Sequence, residues 1–297
     1  LYQTFLPLLA YKNASELNEA LLQIPEPFSQ GWLKKCLNLA LDKANIPSCI
    51  HILSLFEYNV WIPSLDSIAE MFSSVDLAPE IEWENLLSHP VLAGVLQCPF
   101  PTFVSIHPVF HEVLRENLDS LISWEEGINK MVELMASFAS MLEEAAEDAL
   151  DLHNQFIQTS ILKYNEGNFR LALYRALNRK EWDSAYAVLN STVEIYFATG
   201  DYHPLTVLFE EVMEYFGDPL LMSSSAFQLW VLCRGTLGNI ALEEERFEEA
   251  ETSYQECLQQ AKQRKDNQHF YVAKAYYLLA ELATRQKQWE TAKSHYM

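Results

Sequence analysis

The sequence predicts a mainly α-helical chain whose C-terminal part is a stack of two-helix hairpins. Two stretches carry the same residue sizes at the same offsets. Leu237, Gly238, Ala241, Phe247, Ala250 and Tyr254 pair in order with Leu279, Ala280, Ala283, Trp289, Ala292 and Tyr296, a period of 42 residues. With only 8 Gly and 12 Pro among 297 residues, 49% of them hydrophobic, the chain has few points at which helices must break.

In each copy a small residue, Gly238 or Ala280, sits where the first helix meets its partner, and a second, Ala250 or Ala292, sits on the facing helix. Small residues there let helix axes approach to about 8–10 Å. Phe247, Trp289, Tyr254 and Tyr296 fill the space beside that contact, as close packing requires. One hairpin cannot bury its apolar face alone. Stacked hairpins share a continuous core, and a repeat of roughly 20–50 residues marks such a stack.

Taken in order, residues 1–28 predict one helix, started by the polar run Asn13 to Glu19 and closed by Pro25 and Pro27. A second, amphipathic helix spans Trp32 to Ala44. Ile50 to Phe56 reads as a short apolar helix and Pro63 to Phe72 as another, with Ser64 as its cap. Val91 to Cys98 leads into Pro99-Phe100-Pro101, and Phe103-Val104-Ser105-Ile106 alternates as a short strand does. Pro108 fits the first position of the helix that follows. Residues 121–164 are helical and dense in Glu and Met. From Asn165 onward helices of about 15 residues alternate to the end, with turns at Glu166-Gly167-Asn168, Glu181-Trp182 and Gly200-Asp201-Tyr202. Ser223-Ser224-Ser225 reads as a turn and helix cap after Pro219. The polar run Ala261 to Gln268 extends the second helix of the first copy before its turn.

The small-large pattern resembles the tetratricopeptide repeat, whose period is about 34 residues, in a long-helix form. That resemblance implies a right-handed α-α superhelix. Ser105 to Leu114, an apolar strand followed by His107-Pro108 and a helix, is similar to the strand and helix that close the winged-helix domain of signal-transduction ATPases with numerous domains, the STAND class. Glu166-Gly167-Asn168-Phe169-Arg170-Leu171-Ala172-Leu173, followed by Ala176-Leu177 and Glu181-Trp182-Asp183-Ser184-Ala185, is similar to the first hairpin of the helical sensor arm in that class. The resemblance implies a leading helical segment (1–28), a winged-helix-like domain (29–120), a helical connector (121–164) and a tetratricopeptide-like repeat domain (165–297) cut off at its C-terminal end. A start at Leu1 and a stop at Met297 inside a repeat predict a piece of a larger protein. The sequence contains no G-x-x-x-x-G-K-[ST] loop. ATP or another nucleotide with Mg is therefore expected only in an upstream module, and this piece is expected to hold no cofactor and to be no enzyme.

A net charge of −21 opposes any sequence-independent hold on nucleic acid, which needs clustered Lys and Arg, and equally disfavours an anionic membrane surface. No run reaches the ~18 apolar residues of a membrane span. Five cysteines, Cys36, Cys49, Cys98, Cys233 and Cys257, form no C-x-x-C pair and read as reduced, mostly buried thiols of a cytoplasmic protein. His107 and His111 stand four apart with Glu112 adjacent, but the H-E-x-x-H pattern and a third ligand are missing, so no metal is expected. His107 is expected to make a structural hydrogen bond at the strand-to-helix corner. The family resemblance implies, in addition, a place for it near nucleotide phosphates in the full-length parent. The acidic runs from Glu143 to Asp151 and from Glu243 to Glu251 read as solvated helix faces.

In tetratricopeptide hairpins the first helix lines the groove that receives a ligand. The resemblance therefore places Asn239 and Glu243 of one copy, and Lys274, Tyr277, Glu281 and Arg285 of the next, on that groove. Asn239 matches an asparagine that grips a peptide backbone. Leu232 and Gly235 stand where a basic clamp for carboxylates would be, so that clamp is not evident. The expected function is a non-catalytic regulatory and ligand-sensing segment of a larger signalling ATPase, binding a protein or peptide and assembling into oligomers through the parent. The alternative is a repeat scaffold that joins proteins without an ATPase switch.

Overall fold

The computed structural model describes residues 30–57, 59–71, 83–89, 92, 95–100, 102–148, 152–200, 202–264 and 269–296. The helix expected over 1–28 lies outside them. The described residues are mainly α-helical and fall into two compact units, one running to Phe138 and including Ser160–Ala172, the other formed by Ala139–Thr159 and the chain from Leu173 onward.

In the first unit, α1 (Gln30–Lys43) buries Leu37, Ala40 and Leu41. The segment expected as a short apolar helix is a helix of the 3-10 type, Ser48–Leu55. Ile50, Ile52, Leu53 and Leu55 are all buried, so apolar side chains surround this segment rather than marking one stripe, and the sequence carries no period that would separate the two helix types. β1 (Val60–Trp61), a 3-10 turn (Ile62–Ser64) and α2 (Leu65–Met71) follow. The Ser64 hydroxyl is donated to the Trp61 carbonyl at 2.6 Å.

After α3 (Trp83–Leu87), β2 (Leu96–Phe100) and β3 (Phe103–Ile106) complete an antiparallel sheet of order β1-β3-β2. Sequence alternation reveals β3 alone. β1 has two residues, and β2 contains Pro99, which cannot donate to a ladder and is tolerated only at an edge or an irregularity. β2 is an edge strand whose register shifts between Gln97 and Phe100, so both conditions are met. α4 (Pro108–Asp119) leaves the sheet and buries Phe110, Val113, Leu114 and Leu118 against the 3-10 helix. α5 (Trp124–Asp148) and α6 (Leu152–Arg179) add a ring stack in which Phe138 lies 5.6 Å from Trp61 and 6.0 Å from Phe169.

α6 corrects one expectation. No turn interrupts Glu166-Gly167-Asn168; the helix runs straight through. A glycine inside a helix costs only about 0.5–1 kcal/mol relative to alanine, while Phe169, Ala172 and Leu173 are fully buried just beyond it. The asparagines are satisfied without a turn, Asn165 donating to Ile161 O at 2.9 Å and Asn168 to Asn59 O at 2.7 Å.

The second unit is built on one recurring corner. α6 joins α7 (Trp182–Thr199), α9 (Ser224–Glu243) joins α10 (Phe247–Gln263), and α11 (His269–Arg285) joins α12 (Trp289–Tyr296). At these corners Lys180, Glu245 and Lys287 are left-handed, with φ of 62°, 58° and 60°. The next amide in each returns to a carbonyl five residues back, Glu181 to Ala176 (2.9 Å), Arg246 to Ala241 (2.7 Å) and Gln288 to Ala283 (2.8 Å). That arrangement satisfies the carbonyls at a helix end. Buried Ala185, Ala250 and Ala292 follow at one shared offset. A third hairpin thus has the corner of the two aligned in sequence.

Between them, Gly200 (φ 68°) ends α7, and α8 (His203–Met213) precedes a 3-10 turn, Pro219–Leu221. Ser223 then caps α9, accepting from Ala226 N–H at 3.2 Å. The polar run after Ala261 lengthens α10 only as far as Gln263; Arg264 is already extended, and residues 265–268 lie outside the described residues. Its guanidinium stacks 4.3 Å from the Phe227 ring and donates to Pro219 O and Met222 O, bolting the end of α10 to the turn before α9. One cluster joins Phe227, Trp230 and Val231 to Cys257, Ala261 and Ala275, and a second joins Ala241, Leu242, Ala250 and Tyr254 to Leu279 and Leu282. Cys49, Cys233 and Cys257 are buried free thiols, and Cys98 is exposed.

At Gly238 α9 lies tightly against α10. A Cβ there would stand 2.5 Å from Tyr254 Cε1 and 3.1 Å from Ser253 Cβ, and Tyr254 is fully buried. Gly238→Ala is expected to lower stability by about 1 kcal/mol, overpacking outweighing the gain in helix propensity. In a Tyr254→Leu background the same change should stabilise, and urea titration of the four proteins reads the reversal.

A second expectation concerns pH. Burial pushes His51 down to about 4, partly offset by Asp42, and its Nδ1 has no partner among the described residues. The folded state then binds fewer protons than the unfolded state, so the stability gained from neutral His51 is complete above about 6.5 and is lost as pH falls toward 4. Thermal melts from pH 7.5 to 4.5 should fall more steeply for the wild type than for His51→Phe.

Candidate functional site

The α9–α11 face is made by the first helices of two successive hairpins. α9 presents Asn239 and Glu243, and α11 presents Lys274, Tyr277, Glu281 and Arg285. A repeat period sets their relation: Glu243 and Arg285 occupy the same position one hairpin apart and form an ion pair of 2.9 Å. Both ends are exposed, so the pair fixes geometry more than it stabilises.

Asn239 is held from below. The Tyr254 hydroxyl, carried up from α10, donates to Asn239 Oδ1 at 2.8 Å. Burial first, then the charges of Glu281, Cys257 and Glu243, hold the Tyr254 phenol above its ordinary value of 10, so it remains a donor across the physiological range. Tyr277 is 56% exposed and meets the Tyr296 ring edge-on at 6.0 Å.

A small cavity of about 30 Å³ opens between α9 and α11 over α10. Asn239 and Lys274 both border it, with Gly235, Thr236, Cys257 and Tyr271. Gly235 and Tyr271 were missed as site residues by sequence reasoning, although one signal was present. The 42-residue offset pairs Gly235 with Tyr277, the smallest residue with a large one. Burial pushes the Cys257 thiol up to about 12, so it presents a neutral group.

A wider cleft of about 460 Å³ lies between α8, α9 and α10. Its guanidiniums are already taken, Arg234 by Glu256, and Arg246 by Glu244 and Glu249.

His107 belongs to the first unit and the six residues of α9 and α11 to the second. It is the N-cap of α4, Nδ1 accepting from Val109 N–H at 3.3 Å, which is the corner role expected of it. His111 pairs instead with the Phe56 carbonyl at 3.2 Å. Among the described residues no group of three His, Cys, Asp or Glu side chains could hold a metal ion, and no helix is long and apolar enough to cross a membrane.

Comparison with known proteins bears on this same region. Residues 228–297 match the family model of the tetratricopeptide repeat. Searches of curated proteins and of solved structures return no match. The match covers α9 to α12, the helices that supply all six face residues; the described residues are mainly α-helical, and residues 228–297 are tetratricopeptide-like repeats. Such repeats serve protein–protein interaction.

Tyr254→Phe is expected to cost about 1 kcal/mol by urea denaturation, the worth of one hydrogen bond between neutral groups. A loss within error of zero would mean that Asn239 is not positioned from α10.

Proposed function

We propose that the chain is a non-catalytic recognition segment that binds a protein or peptide on the α9–α11 face. One observation carries this reading: Asn239 and Lys274, from successive hairpins, border a single cavity, with the exposed ring of Tyr277 on the same helix as Lys274. Polar groups held at fixed spacing beside an exposed aromatic ring are the elements from which binding hot spots are made. The net charge of −21 supports a protein partner over nucleic acid or an anionic membrane, and cytoplasmic residence fits the free thiols.

In its finer form the proposal makes this chain the regulatory part of a STAND-type ATPase. Residues 29–120 are then a winged-helix-like domain, a reading supported by the three-stranded sheet, with α1 before it and α4 after it along the chain. Partner binding to the repeats releases an upstream nucleotide-binding module that the winged helix holds closed, and His107 lies near the nucleotide phosphates of the parent. A ligand shifts such an equilibrium only by its difference in affinity for the two states. The same α9–α11 geometry supports a scaffold that joins proteins without a switch.

Peptides selected on the full chain from a random twelve-residue display library test the reading. Tyr277→Ala and Arg285→Ala, both at exposed positions, are expected to weaken the selected peptides at least tenfold without changing the melting temperature. Equal binding to wild type and both variants would remove the α9–α11 face from the proposal. In the parent, a severalfold change of ATPase rate on adding the peptide marks the switch, and an unchanged rate marks the scaffold.

A further inference from the structure

We propose that the cavity beside Gly235 is a specificity pocket that takes a small apolar side chain, of Ala or Val size, from an extended protein segment, with a neighbouring carboxylate meeting Lys274. This deepens the recognition reading above and depends on it. Gly235 lies within α9, yet a Cβ built there meets no atom within 4 Å. The glycine is therefore not there to let another helix close in, in contrast to Gly238, where the Tyr254 ring occupies the space. One hairpin further on, the same position carries the exposed ring of Tyr277. The face has a notch in one hairpin and a projection in the next.

The size and lining of the notch set what enters it. Val231, Cys257 and Ala275 are buried to 6%, 2% and 2% exposure and line it with apolar surface. Burial keeps the Cys257 thiol neutral, so the floor of the notch carries no charge and Lys274 is the one charged residue among those that border it. A cavity of about 30 Å³ exceeds the space one water needs and falls far short of the ~150 Å³ that admits a benzene ring. An aromatic or long side chain is excluded, and a methyl or isopropyl group fits the opening.

Charge sets what lies beside it. Arg285 is paired with Glu243, whereas Lys274 is exposed and makes no ion pair among the described residues. Lys274 itself borders the cavity. Exposed charges more than roughly 8 Å away are largely screened at physiological salt, so this cation, rather than the overall −21 of the chain, governs the local choice of partner charge.

The probes are the peptides selected on the full chain. Their sequences are expected to share Ala or Val next to Asp or Glu. Gly235→Leu fills the notch and should weaken them at least tenfold with an unchanged melting temperature. Should Leu disturb the fold, Gly235→Ala together with Val→Phe in the peptide tests the same notch from both sides, each change being expected to weaken binding. Lys274→Gln should cost about tenfold and flatten the salt dependence. If the peptides respond to Tyr277→Ala but are indifferent to Gly235→Leu and Lys274→Gln, the pocket is overturned and the recognition reading stands. If no peptide is selected by the wild type, both fall.

Discussion

The ring of Tyr254 occupies the space that a side chain at position 238 would need, and much of the second unit follows from that contact. Because Gly238 offers no Cβ, α9 packs its backbone at this point directly against the fully buried Tyr254 ring of α10. Tyr254 joins the cluster that also takes in Leu279 and Leu282, which ties α11 to the same hairpin. Its hydroxyl then emerges on the far side to hold Asn239. One residue therefore serves the core and the candidate binding face together, and the position of a surface amide is set by packing beneath it.

The hairpins were legible in the sequence because helical repeats leave a periodic record of size. Gly238 and Ala280, Ala250 and Ala292, Tyr254 and Tyr296 are separated by the same interval that in the structure separates the left-handed residues Glu245 and Lys287. The Trp182-x-x-Ala185 motif likewise marked a genuine corner. Elsewhere the signals misled. Gly167 carries the look of a turn, but a single glycine cannot outweigh the buried side chains that continue α6 past it. β1 is too short to alternate, and Pro99 disguises an edge strand that tolerates it.

The candidate face was readable in part for a related reason. Repeat register placed Asn239, Glu243, Lys274, Tyr277, Glu281 and Arg285 on two helices, and a register of this kind says which residues share a face. It does not say which of them touch. The Glu243–Arg285 pair, the Tyr254 hydroxyl on Asn239 and the notch at Gly235 depend on the distance between helices, which is fixed by residues outside the face. An absence is harder to read than a presence, and Gly235 matters through what it lacks.

The three hairpin corners share a trait with wider meaning. Lys180, Glu245 and Lys287 adopt a backbone shape that glycine takes without penalty and that costs other L-residues about 1 kcal/mol each. The hairpins form regardless, so their closure is dictated by the helices and not by the linkers. The fold consequently sits below the stability its own architecture permits. A lineage that weakened one of its buried layers could recover by a single change at any of these bends, which gives the sequence room to drift while the arrangement of helices endures.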